Sequence, residues 1–405
     1  MKKIAFIALA SVLFSSNSFA QDVTSDYINN LNTISTSVPF LLIAPDSRAG
    51  AMGDVGAATT PDHNSIHWNA SKLAFLKEDN GFSVSYTPWL QDLVPEISLS
   101  YLSAFKRLNS RSTIAGSMRY FSLGEIQFTN SAGDPISKFS PNEFAVDGAY
   151  SMKLSENFST GMAMRYIYSN LTGGINVEGG AATKPGTSFG VDLSSYYQSN
   201  EFEIEDKTAY WAAGMNISNV GNKISYTDGG EEHFLPTNGR LGVSFNMELD
   251  DYNSVSFAFD VNKLLVPTPP IYQVDEDGNP VFDDNGGRVI EAGKNPNVGT
   301  LAGMFQSFSD APGGMNEELN ELMFAAGMEY WYLKQFAFRG GYFHEHATKG
   351  NRKYFTVGVG LRMNVFSLDM AFLLPATQGT RSPLANTLRF TMLFDMAALY
   401  ATDKE

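Results

Sequence analysis

The stretch Leu388-Arg-Phe-Thr-Met-Leu-Phe-Asp-Met396 sets a large apolar residue at every second position. The residues between them include an arginine, a threonine and an aspartate. Because successive side chains of a β-strand point to opposite faces, this pattern predicts a strand with one apolar face and one polar face. A soluble sandwich would turn the apolar face into its core, whereas a membrane barrel would turn it towards lipid.

The same alternation recurs along the chain, mostly in segments near the 9–11 residues that a tilted membrane strand needs, whereas soluble strands average about five or six. The interleaved residues are mainly Gly, Ala, Ser, Asp and Arg, which suit a wet or filled lumen better than a dry core. We therefore predict an all-β fold, a transmembrane antiparallel β-barrel of about 14 strands. The predicted strands are 82–87, 96–105, 112–122, 142–152, 157–169, 187–198, 208–217, 239–249, 253–263, 322–333, 336–346, 354–364, 365–374 and 386–396.

Linker lengths give an independent indication of a barrel. Short linkers follow even-numbered strands, at 106–111, 153–156, 250–252 and 334–335. Long linkers follow odd-numbered strands, at 123–141, 170–186, 218–238 and 264–321. Outer-membrane barrels have short periplasmic turns and longer extracellular loops, so we expect the first strand to rise from the periplasm and the last to return there.

The N-terminus is typical of a secretory signal peptide. Lys2 and Lys3 precede an apolar stretch from Ile4 to Phe14, and Ser18-Phe-Ala20 fits a cleavage site after Ala20. No later stretch is apolar for long enough to form a membrane helix. The chain has no cysteine, which excludes disulfides, thiolate chemistry and a lipidated cysteine at the mature N-terminus.

Charge and motifs exclude several classes of function. Removing the two lysines of the signal peptide leaves 26 basic residues against 43 acidic ones, a net charge of −17, which argues against nucleic acid as a partner. We find no nucleophile with a base, no phosphate-binding loop and no pair of catalytic carboxylates, so we expect no enzymatic activity and no cofactor.

Two groups of residues resemble metal ligands only superficially. Asp62, His63 and His67 lack a recognisable further ligand, and the histidines His344 and His346 stand alone on one strand. The acidic stretch from Val274 to Phe282 invites calcium, but a proline stands where an EF-type loop needs glycine, so we predict a hairpin turning at Asp277-Gly278 instead. We expect no metal site.

Residues 21–80 do not alternate, and the small residues of Asp46–Asp54 predict tight backbone packing. A segment of this size before a wide barrel is expected to fold into the lumen as a plug. Opposed arginines and aspartates on the polar faces of the strands are expected to hold it. They are Arg119, Asp147, Arg165, Asp192, Arg240, Asp260, Arg339, Arg362, Asp369, Arg389 and Asp395.

The loops carry the candidate partner-binding residues. The prolines of Leu264–Tyr272 should hold the chain extended and presented, and apolar residues in a loop outside the membrane indicate either a docking patch or packing against the rim. The glutamates Glu317, Glu318 and Glu321 are expected to be solvated. The candidate contacts are Pro267, Pro269, Pro270, Ile271, Tyr272, Met304, Phe305 and Phe308, with Tyr226, Phe234 and Leu235 from loop 218–238.

The stretches Ala44–Asp54, Asp62–Asn69 and Lys72–Ala74 resemble the N-terminal signature of the PorV (LptO) family, from the type IX secretion system of Bacteroidetes. The run Thr300–Gly314 also looks like a loop of that family, whereas Ala70-Ser71 stands where a proline is expected. The signature residues for the plug are Asp46, Arg48, Gly50, Met52, Gly53, Asp54, Asn64, Trp68 and Asn69.

The resemblance implies a FadL-like barrel in the outer membrane and a non-enzymatic role in secretion. Family members bind the C-terminal signal domain of cargo, dock on the translocon barrel (Sov or SprA) and deliver cargo to a PorU-like sortase. The expected organisation is a signal peptide (1–20), a plug segment (21–80) and a barrel (81–405) with its long loop at 264–321, surrounded by outer-membrane lipid. The alternative is a FadL-like transporter of hydrophobic small molecules, and a plain porin is weaker because the plug should occlude it.

Overall fold

The computed structural model describes residues 31–89, 96–129, 133–174, 182–376 and 387–396. The predicted signal peptide and its cleavage site lie outside these residues. Within the described part of the chain, no helix is long and apolar enough to span a membrane.

Fourteen long strands in the described ranges form one antiparallel sheet. The first strand pairs with the last, from Gly81–Asp395 to Tyr86–Phe390, so the sheet closes on itself and confirms the predicted barrel. The barrel strands are β1 (Asn80–Pro88), β2 (Ile97–Arg107), β3 (Ser112–Leu123), β4 (Asn142–Lys153), β5 (Phe158–Asn170), β6 (Gly186–Gln198), β7 (Lys207–Gly221), β8 (Asn238–Glu248), β9 (Ser254–Leu264), β10 (Met323–Tyr332), β11 (Phe336–His344), β12 (Lys353–Arg362), β13 (Phe366–Pro375) and β14 (Leu388–Asp395).

The large apolar side chains point out of the barrel. On β5, Met162 and Met164 are 44% and 61% exposed, whereas Ala163 and Arg165, which alternate with them, are buried. A soluble sandwich would show the reverse, with the large apolar residues inside. The exposed face of the alternation is therefore the lipid-facing face.

The two ends of the barrel differ in their connections. At the short-turn end, the turns after β2, β4, β8, β10 and β12 are only a few residues long. The turn after β6 is longer, because Phe202–Ile204 forms an extra short strand against the start of β7. At the long-loop end, a hairpin of Ile126–Thr129 and Pro135–Phe139 follows β3, and the long loop (residues 265–322) follows β9.

The described helices are short, and none of them is part of the barrel wall. They are α1 (Ser47–Ala51), α2 (Ser65–Trp68), α3 (Thr300–Gln306) and α4 (Met315–Asn320). Single 3₁₀ segments occur at Pro39–Leu42, Ala70–Phe75 and Ala347–Lys349. The first two helices precede the barrel in sequence, and the last two belong to the long loop.

Buried apolar clusters join the residues before β1 to the barrel wall. Phe40 and Leu41 pack with Ile97 and Leu99 of β2 at the long-loop end. Met52 and Val55 pack with residues of β10 to β13. Leu73 and Leu76 pack with Tyr101 and Phe105 of β2 nearer the short-turn end.

We predict that Met164→Arg lowers the free energy of unfolding by about 2–4 kcal/mol, because it sets a charge on the lipid face near the middle of β5. Leu154→Arg, in the short turn after β4, should cost about 0–1 kcal/mol because the charge reaches water there. Urea unfolding in lipid vesicles measures both. Equal losses for the two variants would contradict a lipid-facing β5.

Candidate functional site

The N-terminal segment (residues 33–79) contacts the buried faces of strands on opposite sides of the barrel. The Ser47 backbone N–H donates to Thr391 Oγ1 on β14 at 2.8 Å. Further along, the Ser71 backbone N–H donates to Ser194 Oγ on β6 at 3.0 Å. Hydroxyls on the polar face of the wall thus satisfy backbone groups of the segment.

Asp46 ties the two helices of the segment together. Its carboxylate accepts the Ala49 backbone N–H at 3.0 Å, which caps α1, and the Trp68 indole N–H of α2 at 2.6 Å. The Arg240 guanidinium of β8 lies 4.8 Å from the centre of the Trp68 ring. Both Asp46 and Trp68 are buried, so these hydrogen bonds stabilise the contact between α1 and α2 as well as the first turn of α1.

Arg48 joins the segment to a chain of charges across the wall. Its guanidinium donates two hydrogen bonds to Glu329 of β10, at 2.8 and 3.0 Å, and one to Asp62 at 2.9 Å. Glu329 also accepts from Arg339 of β11 at 2.7 Å, and Arg339 reaches Asp369 of β13 at 2.6 Å. Paired and hydrogen-bonded charges of this kind are the form in which charges tolerate burial.

Gly53 and Asp54 form a tight turn against β11 and β12. Gly53 has a φ of +72°, and a Cβ there would lie 2.7 Å from the Tyr342 backbone nitrogen. Only glycine satisfies both conditions. Asp54 accepts hydrogen bonds from Tyr354 at 2.5 Å and Arg389 at 3.1 Å.

The other signature residues also contact the wall. Asn69 donates to the Ser195 carbonyl of β6 at 3.0 Å, and Asn64 accepts from the Ser103 hydroxyl of β2 at 3.1 Å. Gly50 lies against the Arg389 side chain. The expectation of tight backbone packing in Asp46–Asp54 agrees with these contacts.

Glycines in the strands leave room for the N-terminal segment to approach the barrel wall closely, a feature that the sequence reasoning missed. A Cβ at any of them would overlap atoms of Ala51, Met52, Ala57 or Ser71. The only signal in the sequence was glycine at polar-face positions of strands, where a side chain is otherwise expected. These glycines are Gly161, Gly214, Gly327, Gly341 and Gly358.

Most of the predicted arginines and aspartates do meet inside the barrel. Arg165 of β5 pairs with Asp147 of β4 and, at 3.1 Å, with Asp192 of β6. Arg362 differs from the expectation, because it is exposed and its guanidinium lies 4.4 Å from the centre of the Trp331 ring.

The histidine pair of the N-terminal segment is divided between two environments. His67 shares a 2.8 Å hydrogen bond with Arg119, whereas His63 packs edge-on against Phe105. Among the described residues, no three His, Asp or Glu side chains are grouped so that they could hold a metal ion.

The structure divides the candidate loop residues into exposed and buried sets. Phe305, Phe308 and Ile271 are 77%, 56% and 52% exposed. The half-buried residues are Tyr226, Phe234, Pro269, Tyr272 and Met304.

Pro267, Pro270 and Leu235 are buried, contrary to the expectation of a fully presented proline stretch. Pro267 is buried because α3 packs on it: a Cβ at Gly303 would lie 3.0 Å from both Pro267 and the Phe234 ring. Leu235 is buried in the apolar cluster with Phe40 and Leu41, and Pro270 lies against Gly293. These three residues therefore lie beneath the surface of the loops and are not exposed to solvent.

Helix α3 has its apolar side turned to solvent. Leu301 and Phe305 of α3 and Phe308 just beyond its end follow each other at i, i+4 and i+7, and all three are more than half exposed. The buried positions are the small residues Gly303 and Ser307. A surface helix normally buries its apolar stripe, so this orientation is inverted.

Helix α4 repeats this inversion and is held by a buried charge cluster. Met315 and Leu319 are 69% and 56% exposed, whereas Glu318, expected to be solvated, is buried. Glu318 binds Lys263 at the end of β9 at 3.1 Å and accepts the Asp310 and Ala311 backbone N–H groups.

Glu321, also expected to be solvated, bridges two lysines in the same cluster. It pairs with Lys263 and, at 3.0 Å, with Lys349, which also pairs with Glu317. Burial raises the pKa of Asp310 above its ordinary value, although hydrogen bonds from Gln306 and the Thr268 backbone oppose this. The exposed apolar residues of α3, of the turn that follows it and of α4 are together named the apolar loop surface. They are Leu301, Phe305, Phe308, Met315 and Leu319.

We predict that Arg48→Ala lowers the free energy of unfolding by about 3 kcal/mol, because it removes one partner of the buried Glu329 carboxylate. Arg111→Ala, at an exposed turn position, should change it by less than about 0.5 kcal/mol. Urea unfolding in lipid vesicles compares the two. Indistinguishable midpoints would contradict a stabilising role for the Arg48 pairing.

Comparisons with known proteins bear on this architecture. The family model described as "Type IX secretion system protein PorV" matches residues 26–271. No curated protein matches the chain.

Among solved structures, the Ralstonia pickettii toluene transporter TbuX is 12% identical, with 90% of this chain and 97% of that chain covered and a TM-score of 0.45. The Pseudomonas putida toluene transporter TodX is 10% identical, with 90% and 98% covered and a TM-score of 0.46. A Pseudomonas aeruginosa FadL homologue is 10% identical, with 90% and 99% covered and a TM-score of 0.41.

The closed barrel with an outward apolar face and the family match together identify an outer-membrane β-barrel. The matched residues include the whole N-terminal signature and reach the beginning of the long loop. The chain belongs to the PorV family of type IX secretion system proteins.

Proposed function

We propose that this protein is a non-enzymatic carrier of the secretion system that holds the C-terminal signal domain of cargo at the cell surface. It takes the domain at the translocon barrel (Sov- or SprA-like) and brings it to a PorU-like sortase. The family match supports a role in type IX secretion. The apolar loop surface supports the holding step.

The inversion of α3 and α4 is the observation that carries this proposal. Five large apolar side chains at the long-loop end are each more than half exposed: two lie on α3, two on α4, and Phe308 lies just after α3. Clustered exposed apolar residues usually mark an interaction surface, and the length of the connections makes this the extracellular end. A β-domain that docks here would remove these side chains from water.

A carrier needs a surface that is already formed when cargo arrives. The pairing of Lys263 and Lys349 with glutamates of α4 holds that helix to the rim. Thr300 Oγ1 donates to the Gly221 carbonyl at 2.8 Å and anchors the start of α3 to β7. Less conformational entropy is then lost on binding than for a free loop of the same length.

The N-terminal segment acts, in this proposal, as a plug that keeps the barrel closed while cargo is handed over. Its hydrogen bonds to β6 and β14, the Arg48 charge chain and the strand glycines support this role. A FadL-like transporter would need an apolar passage instead. The inward faces of β4 to β6 and of β10 to β13 carry paired charges, which do not favour such a passage.

We predict that the double variant Phe305→Ser/Phe308→Ser binds the C-terminal domain of cargo at least about 30-fold more weakly, a loss of about 2 kcal/mol, because central apolar anchors dominate such interfaces. Leu108→Ser/Tyr252→Ser removes two exposed apolar residues at the short-turn end and should leave binding unchanged. The measurement is a pull-down. Each tagged variant is purified in mild detergent from the native outer membrane, and the proteins that copurify with it are identified by mass spectrometry.

The wild type should recover a very large barrel, a sortase-like protein and secreted proteins that share a C-terminal β-domain. The control variant should recover the same set, and the phenylalanine variant should lose the secreted proteins. Recovery of the tagged protein alone, with bound fatty acid, would overturn the carrier proposal in favour of the transporter.

We predict that the purified protein in liposomes admits neither small sugars nor fatty acids, because the plug fills the lumen. Liposome swelling and fatty-acid uptake measure this, with an open porin as the positive control. Uptake at porin-like rates would contradict the plug, and uptake of fatty acid alone would support the alternative function.

A further inference from the structure

The long loop contains a tandem repeat that lies beyond the residues matched by the family model. Asp275-Glu-Asp-Gly-Asn-Pro-Val-Phe282 is followed directly by Asp283-Asp-Asn-Gly-Gly-Arg-Val-Ile290, with Asp, Gly and Val at equivalent positions of both units. The sequence reasoning identified a turn at Asp277-Gly278 in the first unit and missed the second.

Both units of this acidic repeat (residues 275–290) fold in the same way. Asp275 accepts the backbone N–H of Asn279 at 2.8 Å, and Asp283 accepts that of Gly287 at 2.8 Å. The glycines at the fourth positions, Gly278 and Gly286, have φ values of +82° and +78°. Two equal turns therefore project from one base.

The base of the repeat is closed by a ring of backbone hydrogen bonds. Val281 donates to Gln273 at 3.1 Å, Val289 donates to Val281 at 2.9 Å, and Gln273 donates to Val289 at 2.9 Å. Each strand-like piece thus holds the next, which makes the repeat a compact projection with a defined shape.

This projection adjoins the apolar loop surface. Gln306, the last residue of α3, donates to the Asn295 carbonyl at 3.0 Å, just beyond the repeat. Lys294 donates to Ser309 at 2.8 Å, immediately after the exposed Phe308. The chain that leaves the acidic repeat is therefore held beside Phe305 and Phe308.

Exposed charge in the long loop is strongly unbalanced. Six acidic side chains are exposed, against the two basic ones of Arg288 and Lys294. Arg288 lies over the Tyr272 ring at 4.2 Å, and Lys294 binds Ser309, so both cations are engaged within the loop. The exposed acids are Asp275, Glu276, Asp277, Asp283, Asp284 and Glu291.

We infer that the partner of the apolar loop surface presents an apolar centre with a rim of lysines and arginines, which the acidic repeat contacts. This inference rests on the proposed function and adds the chemistry of the partner's surface. Unlike charges around an apolar contact speed association and reject acidic competitors. Hydrogen bonds from the Asn279 backbone and side chain lower the pKa of Asp275.

The test measures binding of a labelled C-terminal domain, taken from a secreted protein recovered with the wild type, to the full-length protein in detergent. The neutralised variant changes exposed acids that accept no hydrogen bond within the turns, namely Glu276→Gln, Asp277→Asn and Asp284→Asn. The matched control changes one glutamate and two aspartates exposed at the short-turn end, namely Glu203→Gln, Asp206→Asn and Asp251→Asn.

We expect the neutralised variant to bind about tenfold more weakly at low salt and the control to bind as the wild type does. Raising salt from about 50 to about 500 mM should remove that difference, because the screening length falls from over 10 Å to a few ångströms. Phe305→Ser/Phe308→Ser should weaken binding at every salt concentration.

Three other outcomes would contradict one or both proposals. Binding that is tight but indifferent to salt and to the neutralised variant would overturn the basic partner surface and leave the carrier function intact. Absence of binding to the wild type would overturn the carrier function and this inference with it. Loss of binding on adding a chelator would assign the acids to a divalent cation and also overturn the inference.

Discussion

A charged side chain that is buried inside the barrel must be paired there, because little water remains to solvate it. Arg48 comes from the N-terminal segment, whereas Glu329, Arg339 and Asp369 come from three different strands. Without the segment, Glu329 would lose one of its two guanidinium partners. Without the closed barrel, Arg48 would have no Glu329 to reach. The segment and the wall therefore depend on each other for the burial of their charges.

The same constraint explains the strand glycines. A segment whose backbone lies against the wall can bury its polar groups where wall side chains are absent or supply a hydrogen-bonding group. Gly341 admits the backbone at Met52, and Thr356 accepts the Gly53 N–H at 2.8 Å. The inward-facing residues of these strands are therefore matched to the backbone of the N-terminal segment.

Ion pairs at the rim of the barrel determine the orientation of α4. Lys263 and Lys349 draw Glu318 and Glu321 inward, and this fixes which side of α4 faces the barrel. Met315 and Leu319 are then left outside, although an isolated amphipathic helix would bury them. The hydrophobic effect alone would close this surface onto the protein. Buried ion pairs instead keep these side chains exposed.

The sequence by itself determined the strands, their number and the side that faces lipid, because period-2 alternation is a local property that each strand carries alone. It also named Met304, Phe305 and Phe308 as apolar loop residues, but left open whether they form a docking patch or pack against the rim. It did not reveal Leu301, Met315 and Leu319 beside them, nor the burial of Pro267 and Glu318. Those depend on contacts between loops and strands far apart in the chain. Only the tertiary structure decided which charge pairs with which, because Arg48 and Glu329 are 281 residues apart and no local pattern specifies their meeting.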